Sequence, residues 1–275
     1  MGFLQDKKIL ITGMLSNRSI AYGIAQAMRR EGAQLAFTYQ GEGVKERVVS
    51  LAGEFHTDLV FPCDVTSDAQ ITELFGSLRE AWDGLDGLIH SIAFAPREAL
   101  AGDYVDSVTR SAFQVAHDIS SYSFSALAKG ALPLMEGRPA ALLTLSYLGA
   151  ERAMPNYNVM GLAKAALESS VRYLAVDFGH QKIRVNAISA GPIRTLAGAG
   201  IGDARYMFAF QQKYSPLGRG VTLEDLGGSG LYLCSDLSTG VTGEIHFVDS
   251  GYNVIAMPQP AALREAGGSV ENGEK

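Results

Sequence analysis

No stretch of this 275-residue sequence stays apolar for the roughly 18 consecutive residues that a membrane-spanning helix needs, so no membrane span is expected. A basic excess is also missing. The 23 Lys and Arg stand against 29 Asp and Glu, a net charge of −6, which gives no electrostatic footprint for nucleic acid. Cysteine is scarce: Cys63 and Cys234 lie far apart in apolar or mixed surroundings. They read as small buried core residues, not as a disulfide or a metal site. The start, MGFLQDKKILITG, runs straight into a strand without a signal-peptide pattern, which makes a cytoplasmic location the expectation. Neither an internal repeat nor an interdomain linker interrupts the chain.

What is present is an ordinary globular composition, 47% hydrophobic and 19% charged, with 31 glycines suited to many tight strand–helix turns. Short continuous apolar runs of the buried parallel-strand kind occur at 7–12, 34–39, 58–62, 85–92, 140–145, 183–188 and 244–248. Helical patterns separate them, including a long helix expected over 109–135, a second over 156–177 and a third over 223–234. Residues 95–106 read as a loop. Strictly alternating strands and helices predict an α/β fold. The expected architecture is a single-domain doubly wound Rossmann fold over 1–257 with a seven-stranded parallel sheet, then a flexible C-terminal tail over 258–275.

The usual G-x-G-x-x-G dinucleotide fingerprint is absent. After the first strand come Gly13, five residues, Ser19 and then Gly23. The physical sense survives. Gly13 permits close backbone approach, and the helix start near Ser19 and Ile20 offers free N–H groups to a pyrophosphate. Ser19 is the expected cap. Also missing is the acid that ends the second strand and binds ribose in that fingerprint; Gln40 stands there, followed by Glu42. Gln40 can still bond a ribose hydroxyl, and Glu42 would repel a 2′-phosphate, which favours NADH over NADPH. Asp64 and Val65 end the third strand, where the acid can accept from the adenine amino group; its structural alternative is a cap for the following helix. Ser91, Ile92 and Ala93 end the fourth strand, and Gly191 to Thr195 end the sixth. Ligands of such sheets bind beyond the carboxyl ends of the strands, so these residues converge on one crevice. His90, alone within a strand, reads as a packed core residue.

The stretch from Ser146 to Lys164, SYLGAERAMPNYNVMGLAK, carries the chemistry. Pro155 suits a helix's first turn. Seven residues separate Tyr157 from Lys164, which at 3.6 residues per turn puts both within about 20° of one helix face. An ammonium beside a phenol is expected to lower its pKa from about 10, as a proton donor to a carbonyl oxygen requires. Residues 196–214, small and then apolar, suit a substrate-binding lid.

The segments ITG…SIAYGIA, FTYQ, CDV, HSIAFAP, DYV…TR, AHDISSYSF, LLTLSYLGAERAMPNYNVMGLAKAALE, IRVNAISAGPIRTLA and CSDLS run in order to about residue 256. Together they resemble the short-chain dehydrogenase/reductase superfamily and, within it, the NADH-dependent enoyl-acyl-carrier-protein reductases of bacterial fatty acid synthesis. Superfamily members ordinarily carry Tyr-x-x-x-Lys; here Gly161 holds that lysine's place, Lys164 follows later and Tyr147 precedes. Ala93 replaces a glycine of some relatives and adds a methyl beside the nicotinamide pocket.

The resemblance implies Tyr147, Tyr157 and Lys164 as catalytic residues and NADH/NAD+ as cofactor. It implies cofactor contacts from Gly13, Ser19, Ile20, Gln40, Asp64, Val65, Ser91, Ile92, Ala93, Lys164, Gly191, Ile193, Arg194, Thr195, Leu196 and Ala197. Substrate contacts would come from Ala95, Tyr147 and Tyr157, with acyl carrier protein as partner, Arg194, Arg205 and Lys213 as docking candidates, and a homotetramer as the assembly. Two other readings remain at this point: a carbonyl reductase of the same superfamily, against which Ser146 stands too close to Tyr157, and a dinucleotide sensor without turnover.

Overall fold

The computed structural model describes residues 2–195 and 204–257. The expected tail over 258–275, the first part of the expected lid, and Leu196 and Ala197 therefore lie outside the described residues. Seven strands form one sheet: β1 (Lys8–Ile11), β2 (Gln34–Tyr39), β3 (Val60–Pro62), β4 (Gly87–His90), β5 (Ala141–Ser146), β6 (Arg184–Ala190) and β7 (Ile245–Val248). Their order is β3-β2-β1-β4-β5-β6-β7, and every neighbouring pair is parallel. The order reverses between β1 and β4, which opens a crevice at their carboxyl ends.

Both faces of the sheet are covered, which is why the strands read as continuous apolar runs. Alternate residues point to opposite faces. Leu10, Leu88, Leu142 and Val185 join one core with α3 (Asp68–Ala81), α6 (Ser123–Met135) and α7 (Asn158–Gly179). Ile9, Ile11, Ile89, Leu143 and Ile188 join the other with α1 (Ile20–Arg30), α2 (Glu42–Gly53) and α9 (Leu223–Cys234). Cys63 and Cys234 are buried free thiols within these cores.

Several expected boundaries move. The helix expected from 156 begins at Asn158, because Asn156 and Asn158 adopt φ of 59° and 40°. Asn tolerates that left-handed region, and a helix cannot run on through Asn156, so α7 starts only as the chain leaves that region at Asn158. Pro155 consequently lies in the turn before α7 and not in its first turn. The helix expected over 109–135 is three pieces: α5 (Arg110–His117), a π turn (Asp118–Tyr122) and α6. The expected loop at 95–106 contains a 3₁₀ turn at Arg97–Leu100 and the short α4 (Tyr104–Ser107). Past the residues not described, α8 spans Ala204–Tyr214.

α9 starts on a capping box. Thr222 Oγ1 accepts from the Asp225 N–H at 3.1 Å, and Asp225 Oδ2 accepts from the Thr222 N–H at 2.8 Å. Arg219 grips the same carboxylate at 2.6 and 2.9 Å, and together these bonds hold Asp225 down at about 2. Thr222→Ala leaves an N–H of the first turn unpaired and is expected to lower stability by about 1 kcal/mol, read in urea unfolding. A midpoint unchanged from the parent would remove the cap from this account.

Candidate active site

A cleft of about 440 Å³ opens at the carboxyl ends of the strands. Gly13, Ser19, Ile20, Gln40, Asp64, Val65, Ser91, Ile92, Ala93, Lys164 and Thr195 line it. In the sequence these residues are scattered over seven segments, and the sheet gathers them. Leu15, Ser16, Thr38, Cys63, Phe94, Ile119, Leu145 and Ser146 line it as well. Of those, Ser16 and Leu15 follow Gly13 in the glycine loop and could have been read from that neighbourhood; Ile119 sits in the π turn, which leaves no mark in the apolar pattern.

Gly13 turns the chain at φ +79°, and a Cβ there would fall 2.0 Å from the Ser91 carbonyl oxygen. The β1 and β4 ends are tied across the crevice by Thr12, whose Oγ1 donates to the Ile89 carbonyl at 3.0 Å and accepts from the Ser91 N–H at 3.3 Å. Ser19 occupies the N-cap position of α1 but does not cap with its side chain; its hydroxyl donates back to the Ser16 carbonyl at 2.5 Å. The expected cap is therefore corrected: the hydroxyl turns to donate to a carbonyl within the longer glycine loop and accepts from none of the helix N–H donors.

Gln40 Nε2 donates to Asp64 Oδ2 at 3.3 Å, while Asp64 Oδ1 accepts from the Thr66 N–H and hydroxyl at 3.0 and 2.8 Å. Burial pushes this carboxyl up, but the Thr66 and Gln40 bonds outweigh it and hold it below its ordinary value. The helix cap at α3 is Ser67, not Asp64: Ser67 Oγ accepts from the Gln70 N–H. Lys45, the first cation after β2, is paired with Glu42 at 3.2 Å. An acid-flanked ribose site with Lys45 already paired suits two free hydroxyls better than a phosphate.

The Gly13 turn, the start of α1, the acid–amide pair of Asp64 and Gln40 and the Lys164 ammonium together fit a dinucleotide. They supply N–H groups for phosphates, acceptors for ribose hydroxyls and a buried cation. Lys164 is buried and donates from Nζ to the Leu145 carbonyl at 2.6 Å. Burial pushes its pKa down to about 8, and the Glu168 carboxylate partly opposes that.

Tyr157 is the residue that precedes α7 and is buried in a small cluster with Ala95, Leu100, Val159, Met160 and Ala163. Its ring meets that of Tyr147 edge to face at 4.9 Å. It lines not the cleft but a neighbouring hollow of about 370 Å³ with Gly149, Met154 and Gly161. The expectation that Lys164 lowers the Tyr157 pKa is overturned. Burial, with Tyr147 and Glu168 nearby, drives that phenol well above its ordinary value, and the ammonium is committed to a backbone carbonyl. Tyr147 is likewise pushed up, by burial first and then by Tyr252 and Asp249, and its buried hydroxyl has no hydrogen-bond partner among the described residues.

The missing lysine at 161 has a steric cause. A Cβ on Gly161 would sit 2.7 Å from the Gly149 carbonyl oxygen, and a Cβ on Gly149 would sit 2.4 Å from the Tyr157 ring. The 148–150 turn thus presses against the start of α7, and the ammonium enters from Lys164, one turn deeper.

Gly191, Ile193 and Arg194 do not line the cleft. The Gly191 N–H bonds the Val248 carbonyl at 2.8 Å, Ile193 packs on the core and Arg194 is exposed. Ala95 is buried in the Tyr157 cluster. Lys213 lies on α8, which also carries Arg205. His90 is fully buried between Thr144 Oγ1 and Ser123 Oγ, each at 2.8 Å, and burial lowers its pKa to about 3: a packed, neutral imidazole.

The family described as enoyl-(acyl carrier protein) reductase matches residues 13–253. The NADH-dependent enoyl-[acyl-carrier-protein] reductase of Neisseria meningitidis is 57% identical over 257 residues, 94% of this chain and 98% of that one. The crystal structure of the NADH enzyme from Aquifex aeolicus superposes with a TM-score of 0.91 at 49% identity, covering 93% of this chain and 100% of that one. The enzyme from Anaplasma phagocytophilum, crystallised in complex with NAD, gives 0.89 at 47% identity, covering 94% and 98%.

Proposed function

Because the chain belongs to the enoyl-(acyl carrier protein) reductase family, we propose a division of labour among its residues for that reaction. The protein reduces the double bond of an enoyl thioester carried on acyl carrier protein, the reductive step of fatty acid elongation, and uses NADH. Bound NADH supplies the hydride, which goes to the β-carbon. Negative charge then grows on the thioester oxygen, where the Tyr157 hydroxyl donates a hydrogen bond, and a proton taken up from solvent at the α-carbon completes the saturated thioester. The raised pKa of Tyr157 keeps its hydroxyl proton in place at any working pH. Lys164 holds the nicotinamide ribose hydroxyls and adds positive charge. Tyr147, whose buried hydroxyl is unpartnered among the described residues, and Ala95 line the acyl side.

Gln40 takes the adenosine ribose, and Asp64 and Val65 flank the adenine. Gly13, Ser19 and Ile20 hold the pyrophosphate. Ser91, Ile92, Ala93 and Thr195, which line the cleft, complete the nicotinamide side. The acidic carrier protein docks on Arg194, Arg205 and Lys213. The same reading carries a homotetramer in the cytoplasm, which light scattering of the purified protein checks for its assembly.

The observation that carries the choice of enoyl over carbonyl reduction is the Gly149–Gly161 contact, which closes the ordinary lysine site and leaves Lys164 at the cleft. The test supplies NADH or NADPH with a trans-2-enoyl or a 3-oxoacyl thioester. Fast oxidation of NADH by the enoyl substrate alone is expected. Turnover of the 3-oxoacyl substrate alone would move the residue roles to carbonyl reduction, and cofactor binding without turnover would leave a sensor.

A further inference from the structure

The reaction as described gives Glu168 no task, yet this carboxyl side chain is 5% exposed and sits one turn beyond Lys164 on α7. Its neighbours on that helix, Leu167 and Val171, belong to the apolar core. An unpaired charge in such a place costs free energy, and it is kept only where partners satisfy it. Ser146 Oγ donates to Glu168 Oε1 at 2.5 Å. Lys164 Nζ donates to the carbonyl of Leu145, the residue before Ser146. The last two residues of β5 therefore grip two successive turns of α7, one through a cation and one through an anion. Both strand residues also line the cofactor cleft.

We propose that Glu168, steadied by Ser146, is a positioning residue that keeps Lys164 charged and aimed into the cofactor cleft. The proposal rests on the reading that Lys164 holds the nicotinamide ribose.

The charges around the pair set the sign of the effect. Glu168 faces Ser146 on β5, Glu151 in the turn that follows Ala150, Arg172 one turn further along α7, and Lys164 itself. Burial and Glu151 push the Glu168 carboxyl up, while Ser146, Arg172 and Lys164 pull it down. Lys164 faces Glu168 and the buried imidazole of His90 on β4, and Tyr157 feels the Glu168 charge from the start of the helix. Burial has already lowered Lys164 to about 8, and Glu168 is the group that opposes the fall. With the carboxylate neutralised, Lys164 loses its proton at a lower pH, and the range over which it is charged shrinks from the alkaline side.

The test uses the full chain labelled with ε-¹³C lysine, in which the spectrum of Lys164→Met assigns the Lys164 resonance. In Glu168→Gln, which keeps an acceptor for Ser146, the Lys164 titration midpoint is expected to fall by about one pH unit. In Glu168→Asp, which keeps the charge, the midpoint stays near the parent value. Fluorescence titration with NADH reads the consequence: Glu168→Gln binds about fivefold more weakly near pH 8 and close to normally near pH 6. An unmoved midpoint in Glu168→Gln, or a loss of NADH affinity equal at every pH, would overturn the proposal and make Glu168 a structural contact. Normal NADH binding by Lys164→Met at every pH would instead overturn the underlying role of Lys164, independently of the Glu168 midpoint.

Discussion

Tyr157→Phe is expected to lower kcat for an enoyl thioester by about 10²–10³-fold, the usual loss for one oxyanion donor, while the Kd for NADH stays unchanged. The substitution removes one oxygen and keeps the ring, which packs edge to face on Tyr147 within the cluster of Ala95, Leu100 and Met160. Folding should therefore be spared, and a thermal melt close to the parent's is part of the expected result. Because burial keeps the phenol protonated, Tyr157 adds no limb of its own to the pH–rate profile. Any alkaline fall belongs to Lys164, whose pKa lies near 8. Single-turnover decay of NADH fluorescence isolates the chemical step. A rate within about threefold of the parent, well short of the usual oxyanion loss, would remove Tyr157 from the oxyanion and return it to packing.

Gly161→Ala should be damaging out of proportion to its size. Its methyl carbon would lie 2.7 Å from the Gly149 carbonyl oxygen, and backbone cannot swing aside as a side chain can. Overpacking of this kind costs about 1–3 kcal/mol. Relief requires the 148–150 turn to retreat, and that turn abuts the Tyr157 ring. A displacement of about 1 Å near the reacting groups can cost on the order of 10² in rate. The expected outcome is thus a lower urea midpoint together with a fall in kcat, while NADH affinity, set in the cleft that Lys164 lines and Gly161 does not, changes little. Normal stability and turnover in Gly161→Ala would show that the turn yields freely and that close packing does not explain the glycine.

The sheet was legible because its strands are buried on both faces, which writes an uninterrupted apolar run for each. All seven were found, with ends placed one or more residues too wide where the run outlasts the ladder, as at 85–92 against Gly87–His90. The α7 start was misplaced because apolar periodicity registers side-chain spacing and not the left-handed backbone of Asn156 and Asn158. The π turn was invisible for a related reason: a widened turn inside a helix leaves the residue types on both sides unchanged. At the site, spacing singled out Lys164 as a cleft residue. Spacing carries no record of the Leu145 carbonyl that captures the ammonium or of the desolvation that reverses the Tyr157 shift. Glu168 stands four residues after Lys164 and was open to notice. Its partner Ser146 lies across the helix–strand contact, where only folding brings the two together.

The π turn at Asp118–Tyr122 bears on how a ligand is received. Its Ser120, fully buried, accepts from the Phe94 N–H at 2.9 Å and donates to the Phe94 carbonyl at 3.0 Å. Both backbone groups at the centre of the loop after β4 are therefore satisfied from within the protein. A loop fixed in this way gives up little conformational entropy on association. The wall that Ser91, Ile92 and Ala93 present to the nicotinamide side is in place beforehand, so the calorimetric entropy of NADH binding should carry little ordering from this side of the cleft.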